Sequence, residues 1–356
     1  MLIQNFRRNR QVVDELAFGW PFVTEARNPH AIYLRNNENP YGGDFRHYPE
    51  DQFGKESLPE AYLKLIGSFE RMSGGAEHGL SAPNILLTQG AAGALEQVFK
   101  AYFEPGIDEV ILTSPSFGIF SRVARIYRIA THKIPLSGDG FDRLDIEAIC
   151  KSKAKGIVLC DPNNPVGSRL HPEDVTRLLE NFNGVVIVDE AYVEYSRRCS
   201  NLKHLKTFPH LVILRTMSKA LGMAGLRIGA AIGSADMIEP LRRVQLPFAI
   251  SSIAADWCQS AIGRSDEIHA GIEQFRVERD RVHRELRRLP YLSGIWGEDG
   301  GFLTIRTSCM NDVARVLLAK QIEPVFNPEG LQDYVRISIG TPYENDCLIQ
   351  ALQMLT

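Results

Sequence analysis

Two apolar segments of the chain end in residues that could act together on a carbonyl compound. Ser218-Lys219 lies just beyond the apolar run Leu211–Leu214, and Asp189 directly follows Val185–Val188. A lysine amine can bond covalently to a carbonyl carbon, and an amine and a carboxylate can hold and move protons. Each residue also has an ordinary explanation, a solvated lysine or a helix-capping aspartate. The chemical interpretation therefore depends on what accompanies them.

Two further segments add an amide and an anion-binding turn. Ile157–Cys160 ends in Asp161-Pro162-Asn163-Asn164-Pro165-Val166-Gly167, a rigid turn that fixes an amide side chain. Ile85–Thr88 leads into Gln89-Gly90-Ala91-Ala92-Gly93-Ala94, where small residues precede a predicted helix. Exposed backbone N–H groups and the helix dipole favour a phosphate at such a place. Small residues also permit close packing, so this signal is weak by itself.

Short apolar runs separated by segments of helical length must position these residues. The runs are Ile85–Thr88, Val110–Thr113, Ile157–Cys160, Val185–Val188 and Leu211–Leu214. The predicted helices between them include Ala91–Phe103, Phe117–Tyr127 and Pro172–Phe182. This alternation predicts an α/β fold with a mostly parallel sheet between layers of helices. Open α/β sheets bind ligands at the carboxyl ends of their strands, so we expect the four strand ends to meet.

The pattern changes after about residue 245 and predicts a smaller α+β unit. Its predicted elements are a helical stretch from Ala254 to Arg288, a strand at Phe302–Ile305, a helix at Asp312–Lys320, a strand at Tyr334–Ser338 and a final helix. The first 45 residues contain no matching strand–helix unit and are predicted to form an arm that joins the small domain. The expected division is therefore an arm (1–45), a large domain (46–245) and a small domain (246–356).

The composition is that of an ordinary globular protein. Of 356 residues, 44% are hydrophobic and 23% charged, and the formal net charge of −3 gives no reason to expect nucleic acid or an anionic membrane as a partner. No apolar run approaches the roughly 18 residues that span a bilayer, and the N-terminus lacks the apolar core of a signal peptide. Six scattered cysteines argue against a metal site and a disulfide framework, so we expect a cytoplasmic protein.

Taken together, the motifs resemble those of the fold-type I pyridoxal-phosphate aminotransferases, and within them the histidinol-phosphate aminotransferase family. The matching stretches occur in the family's order and span nearly the whole chain. They are Leu34–Gly42, His47–Glu50, Pro162–Gly167, Val188–Tyr192, Leu214–Ala220, Ala224–Arg227 and Val335–Thr341. The resemblance implies a large domain that binds pyridoxal 5′-phosphate.

The resemblance also implies a role for each residue around the cofactor ring. Lys219 would hold the cofactor covalently and then move the proton at the substrate's α-carbon. Asp189 would face the pyridine nitrogen and keep it protonated, so that the ring withdraws electrons. Asn164 and Tyr192 would hydrogen-bond the oxygen on the ring, and Phe117 would stack on its face. Of these, Lys219, Asp189 and Tyr192 are the predicted catalytic residues.

A second set of residues matches the family's phosphate site. The backbone amides of Ala91 and Ala92, with Ser218 and Arg227, would bind the cofactor phosphate, and the Arg227 guanidinium can bind it bidentately. Tyr48 matches a tyrosine that crosses a dimer interface to the neighbour's phosphate. The resemblance therefore implies a homodimer.

The substrate end departs from the family. Arg336 matches the arginine that binds the substrate α-carboxylate, and Asn164 is a second expected substrate-binding residue. Phe22, a third, stands where the arm commonly carries a tyrosine. The stretch Gln321–Asn327 carries Glu323 where an arginine for a substrate phosphate is usual, and Gly300-Gly301 replaces an Ala-Asn pair. A phosphate taken out of water needs cations or several donors. We therefore expect a preference for a non-phosphorylated amino acid with an apolar or aromatic side chain.

Several functions are compatible with these motifs. The first is transfer of an amino group between an amino acid or amine and 2-oxoglutarate or glutamate, for which the family implies histidinol phosphate as a substrate. Alternatives are an aromatic or other specialised amino acid, or decarboxylation of an amino-acid phosphate, although Asn36–Pro40 fits the aminotransferase version better. A cofactor-binding sensor fused to DNA-binding helices is the non-enzyme alternative. The chain shows no basic N-terminal module of that kind.

Overall fold

The computed structural model describes residues 32–33, 41, 58–75, 79–246, 249–329 and 331–355. The expectations for Phe22 and Tyr48, and most of the predicted arm, lie outside these residues.

The described strands and helices alternate along the chain as the apolar pattern predicts. The strands are β1 (Ile32–Tyr33), β2 (Ile85–Thr88), β3 (Glu109–Ser114), β4 (Ala130–Pro135), β5 (Gly156–Cys160), β6 (Val185–Asp189), β7 (Leu211–Thr216), β8 (Gly229–Gly233), β9 (Leu292–Trp296), β10 (Phe302–Thr307), β11 (Ile322–Glu323), β12 (Val325–Phe326) and β13 (Tyr334–Ser338). The α-helices are α1 (Leu58–Met72), α2 (Gly90–Tyr102), α3 (Ile119–Ile126), α4 (Ile146–Lys151), α5 (Pro172–Asn181), α6 (Ala235–Val244), α7 (Ser252–Ile262), α8 (Ser265–Leu286), α9 (Met310–Ala319) and α10 (Pro342–Gln353). Short 3₁₀ turns include Val193–Tyr195, Asn201–His204 and Ala224–Leu226.

Seven described strands form the central sheet, in the order β2-β8-β7-β6-β5-β3-β4. Among these seven, β8 runs antiparallel to the other six strands. Every residue of β5 and β7 is buried, because helices cover both faces of the sheet. The expected α/β fold with a mostly parallel sheet is therefore confirmed.

Strands β4 and β8 do not stand out in the apolar pattern. β4 lies at the sheet edge and is largely exposed, so it needs few apolar residues. β8 reads Gly-Ala-Ala-Ile-Gly and resembles a loop in sequence. Its small residues are required by packing, since a Cβ on Gly229 would lie 2.6 Å from Gly90 Cα.

The small domain contains a four-stranded antiparallel sheet in the order β12-β13-β10-β9. Its register places Thr304 of β10 and Val325 of β12 opposite Arg336 of β13. Directly opposed residues point to one face of a sheet, so these three side chains share a face. The predicted long helix before this sheet is two helices, α7 and α8, with the break at Gly263-Arg264.

A separate parallel pair, β1 with β11, joins residues 32–33 to this end of the chain. The division into an arm, a large domain and a small domain stays a prediction. Among the described helices, none is long and apolar enough to cross a membrane.

Candidate functional site

The carboxyl end of β6 places a buried acid at the centre of the site. Asp189 is 5% exposed, and its Oδ1 accepts the Ala191 N–H at 3.0 Å. Burial raises the pKa of Asp189 to about 7; the charge of Glu190 also raises it, whereas the Ala191 hydrogen bond and the charge of Lys219 lower it. A carboxylate in this position would be stabilised by a cationic N–H group facing it.

Lys219 lies just beyond β7, the strand next to β6. Its Nζ is 5.9 Å from the centre of the Tyr192 ring, and that ring packs edge-on against Phe302 with centroids 5.3 Å apart. Asp189 lies opposite Leu214 in the pairing of β6 with β7, so Asp189 and the segment that leads to Lys219 share one end of the sheet. The structure thus brings the three predicted catalytic residues together.

The turn after β5 connects the large domain to the small domain through Asn164. Asn164 Oδ1 accepts a hydrogen bond from Arg336 Nη1 at 2.6 Å. Arg336 is 7% exposed, and its Cζ lies 5.3 Å from the centre of the Phe302 ring. Burial lowers the pKa of this guanidinium. A buried arginine beside the sheet edge can bind a carboxylate strongly, because little water competes for it.

A second cationic group lies at the start of α2. Gly90 begins this helix with φ +72°, and a Cβ there would lie 3.1 Å from Arg227 Nη2. Arg227 Nη1 donates to Ser218 Oγ at 3.4 Å, and Thr216 Oγ1 donates to the same oxygen at 3.0 Å. The helix N-terminus, a guanidinium and a hydroxyl therefore converge at a glycine, which is the chemistry of a phosphate site.

Phe117 follows β3 and completes this edge of the sheet. It is half-buried and packs edge-on against Phe120, with centroids 5.9 Å apart. Of the two predicted phosphate-binding residues on α2, Ala91 is half-buried and Ala92 exposed. Next to Phe117, the Glu329 carboxylate occupies the space that a Cβ on Gly118 would need. An acid from the small domain thus lies beside Phe117.

The departure at Gly300-Gly301 has a local packing reason. A Cβ on Gly301 would lie 2.9 Å from Tyr195 Cε2 and 3.3 Å from Tyr192 Cδ1. The β9–β10 turn therefore fits beneath two aromatic rings, one of which belongs to the candidate site.

A buried charged network that the sequence motifs do not indicate lies behind the site. It contains Asp161, Arg169, Glu190, Glu194 and Arg215, all almost fully buried. One signal for it exists, since Arg215 is a charged residue within the apolar run of β7. A buried charge requires partners, so such an arginine indicates acids nearby.

The roles assigned to individual residues stay predictions, but their chemistry fits pyridoxal phosphate. Asp189 offers a buried carboxylate for the pyridine nitrogen, and Lys219 offers an amine for the aldehyde. Gly90, Arg227 and Ser218 form a cradle for the phosphate.

Comparisons with known proteins find similar chains along most of the sequence. Residues 24–352 match the family described as aminotransferase class I and II. A histidinol-phosphate aminotransferase of Parabacteroides distasonis is 31% identical over 328 residues, which are 91% of this chain and 90% of the relative. Another, from Christiangramia forsetii, is 32% identical over 331 residues, which are 91% of this chain and 89% of the relative.

The fold also matches a solved structure along nearly its full length. Histidinol-phosphate aminotransferase from Sinorhizobium meliloti, solved in complex with pyridoxal-5′-phosphate, superposes with a TM-score of 0.72 at 20% identity. The match covers 96% of this chain and 99% of that structure. At this identity the likeness shows the shared fold.

Proposed function

The chain belongs to the class I and II aminotransferases, which use pyridoxal 5′-phosphate, and we propose that it moves an amino group between an amino acid or amine and a 2-oxo acid. In this proposal, glutamate and 2-oxoglutarate form the second substrate pair. The contact from Arg336 to Asn164 carries the argument, because it joins a carboxylate-binding group to the cofactor turn at 2.6 Å.

Each residue at the strand ends has its own role in the proposed reaction. When bound, the cofactor supplies a carbonyl carbon for the amino group and a ring that accepts electrons from the substrate's α-carbon. Lys219 would hold the cofactor through its amine and would move the proton at that carbon. Asp189, which is buried, would keep the proton on the ring nitrogen. Tyr192 and Asn164 would hydrogen-bond the ring oxygen, and Phe117 would stack on the ring.

The phosphate and carboxylate sites orient the two reactants. The amides of Ala91 and Ala92, with Ser218 and Arg227, hold the phosphate and so fix the ring relative to Lys219. Arg336 binds the α-carboxylate that amino acids and their 2-oxo acids share.

A single-turnover experiment tests the reaction class. An amino substrate should remove the visible absorption of the bound cofactor, and 2-oxoglutarate should then restore it with formation of glutamate. Carbon dioxide release in step with substrate loss would instead assign decarboxylation. If no amino compound changed the absorption, the proposal of an enzyme would fail in favour of a cofactor-binding sensor.

Histidinol phosphate is the first candidate amino substrate. The support comes from the names of the relatives at 31% and 32% identity, which match along almost the whole chain. Because histidinol phosphate has no α-carboxylate, its recognition would have to come from its imidazole and its phosphate.

A non-phosphorylated amino acid with an apolar or aromatic side chain is the second candidate, and the small-domain register favours it. Val325 lies opposite Arg336 and shares its face of the sheet, whereas the neighbouring Phe326 lies on the other face. An apolar side chain thus stands beside the carboxylate-binding arginine.

A comparison of substrates distinguishes the two candidates. The measurement is kcat/KM for histidinol phosphate, histidinol, phenylalanine and tyrosine under the same conditions. A value for histidinol phosphate about a hundredfold above the others, about 2.7 kcal/mol, would reject the second candidate. If the second candidate is correct, Val325→Arg should improve use of histidinol phosphate, while Val325→Gln as matched control should not.

A homodimer is proposed for the assembly, in which Tyr48 completes the phosphate site of the second copy. Exposed apolar side chains on both sides of Ala249 in the sequence support it, since Val244, Leu246, Ile253 and Trp257 are between 36% and 76% exposed. Ala249 itself lies beside the phosphate cradle, because Gln89 Nε2 donates to its carbonyl oxygen at 3.4 Å. Sedimentation should give the mass of a dimer, as expected for a two-fold symmetric assembly. A fully active monomer would reject this proposal.

A cytoplasmic location is proposed as well. It is supported by the scattered cysteines, all six of which are free thiols in the structure. Fractionation of cells that express the tagged chain tests it.

A further inference from the structure

The turn between β9 and β10 packs directly against the ring of Tyr192, although the two are far apart in the sequence. A Cβ on Gly301 would lie 3.3 Å from Tyr192 Cδ1 and 2.9 Å from Tyr195 Cε2, so the backbone of this turn approaches both rings. The next residue, Phe302, packs edge-on against Tyr192 with ring centroids 5.3 Å apart. Tyr192 is 5% exposed, and Gly301 is buried as well. The place of the Tyr192 ring therefore depends on residue 301.

The second ring beside Gly301 has little room to move away. Tyr195 is fully buried and packs against Phe275 of α8, with ring centroids 4.2 Å apart. Protein interiors are close-packed, so an added methyl group must displace its neighbours or the backbone that carries it. The absence of a side chain at residue 301 thus permits the observed positions of Tyr192 and Tyr195.

Two buried arginines of α8 hold the chain that follows Tyr192. Arg276 and Arg279 are three residues apart and so lie on the same face of the helix. Arg276 Nη2 donates to the carbonyl oxygen of Glu194 at 2.8 Å and to that of Ser196 at 2.7 Å. The two arginines are only 8% and 1% exposed, so little water competes for these bonds. The helix therefore fixes the backbone just beyond Tyr192.

Arg279 also holds the β9–β10 turn. Its Nη1 donates to the carbonyl oxygen of Tyr195 at 3.2 Å and to that of Gly300 at 3.1 Å. Ser196 Oγ donates to Asp299 Oδ1 at 2.5 Å, which is a further bond between the same two segments. A single guanidinium nitrogen thus joins the β9–β10 turn to the segment that follows the site tyrosine.

We propose that Gly301, held in place by Arg279, is a positioning residue for the reaction, which keeps the Tyr192 ring where its hydroxyl hydrogen-bonds the ring oxygen of the bound cofactor. This inference rests on the proposed function, in which Tyr192 makes that hydrogen bond. Both residues act through Tyr192. A side chain at residue 301 would displace the ring, and a shorter-reaching donor at residue 279 would loosen the turn that carries Gly301.

The experiment measures the pH midpoint at which the absorption of the bound cofactor changes between its acidic and basic bands. A hydrogen bond from Tyr192 stabilises the anionic form of the ring oxygen, so a weaker bond makes this oxygen a stronger proton acceptor and raises the midpoint. In the Gly301→Ala holoenzyme the midpoint should therefore rise by about one pH unit. We expect kcat to fall about tenfold, with little change in KM for the amino substrate.

A double variant shows whether Gly301 acts through Tyr192. Tyr192→Phe removes the hydroxyl and should raise the midpoint at least as much as Gly301→Ala. Adding Gly301→Ala to the Tyr192→Phe enzyme should then leave the midpoint unchanged, because two changes that act on one hydrogen bond are not additive. A further rise in the double variant would overturn the inference, since residue 301 would then act on the cofactor by another route.

Gly294→Ala is the matched control, because a Cβ on Gly294 would overlap the Trp296 ring in the same four-stranded sheet. This variant also crowds an aromatic ring, but one that belongs to β9 and not to the candidate site. Its midpoint should equal that of the wild-type enzyme. A rise equal to that of Gly301→Ala would reduce the effect to general strain in the sheet and reject the inference.

Arg279→Lys is the second variant, to be used if Gly301→Ala does not fold. It keeps the charge but cannot bridge the two carbonyl oxygens in the same way, so the midpoint should rise by a smaller amount, and only while Tyr192 keeps its hydroxyl. An unchanged midpoint in folded Gly301→Ala, or in Arg279→Lys where it has to be used, overturns the inference. An unchanged midpoint in Tyr192→Phe alone would instead reject the role of Tyr192 in the proposed function.

Discussion

The cofactor half and the substrate half of the candidate site are built in different ways. In the cofactor half, Asp189 ends one buried parallel strand of the central sheet, and Asn164 and Lys219 each follow another. In the substrate half, Arg336 lies within an antiparallel strand, and its neighbours Thr304 and Val325 are set by the register of two other strands. A short motif therefore identifies the first half, whereas the second half depends on pairing between distant segments.

This difference determines which properties can be inferred from a resemblance to known proteins. Strand-end motifs carry their geometry with them, because a parallel sheet brings all its carboxyl ends to one edge. Register carries no such local signal, and a shift by one residue reverses the face of each side chain. The family's reaction can therefore be assigned to this chain more safely than the family's substrate.

The strongest way to break the cofactor half is Lys219→Ala. Without the amine there is no covalent attachment, so borohydride reduction should no longer fix the cofactor to the protein, and turnover should be lost. Mass spectrometry of the reduced protein measures this directly. Attachment of the cofactor to the variant would move the assignment to another lysine.

Asp189→Asn should retain the cofactor but reduce kcat by about two to four orders of magnitude, because the ring nitrogen loses its proton.

The pH dependence of the stability of the cofactor-free protein gives a second measurement on Asp189. In the cofactor-free protein, the Asp189 pKa of about 7 lies above its ordinary value of 3.8. The unfolded chain therefore ionises first, and the free energy of unfolding should fall as pH rises from about 4 to 7, by up to roughly 4 kcal/mol.

The variant lacks this titration, so its Tm should depend less on pH across that range than the Tm of the wild-type protein. Parallel Tm curves for the two cofactor-free proteins would show that Asp189 is not the buried acid described.

Arg336→Lys tests the substrate half alone. A lysine cannot bind a carboxylate with two parallel bonds, so KM for glutamate and 2-oxoglutarate should rise about 10- to 100-fold, while the cofactor spectrum stays unchanged. Arg306→Lys, on an exposed position of the same sheet, is the matched control and should behave as wild type. Equal effects of both variants would indicate general damage to the small domain.

Tyr48→Phe should have the smallest effect, a loss of about 1–3 kcal/mol in cofactor retention, as for one hydrogen bond to a charged group. Dialysis followed by absorption measures it. Mixing this variant with Lys219→Ala subunits gives a sharper result, because a heterodimer would contain one site with both residues intact. Recovery of activity would show that Tyr48 of one subunit completes the cofactor site of the other. No recovery would show that Tyr48 belongs to the site of its own subunit.

The amino-acid sequence alone determined the fold class, the family and the residues at the strand ends. These features depend on local patterns, such as the aliphatic runs of β5, β6 and β7 and the turns that follow them. The sequence did not reveal β8, because its small residues give no apolar strand pattern. Those residues are required by the close approach of Gly229 to Gly90.

Only the tertiary structure decided which side chains share the substrate face and where buried charges find their partners. Val325 and Phe326 are adjacent in sequence, yet pairing with β13 places Val325 with Arg336 and Phe326 on the other face. Glu190 and Arg215 likewise meet only across β6 and β7. Both results depend on contacts between residues far apart in the chain, and no local spacing encodes them.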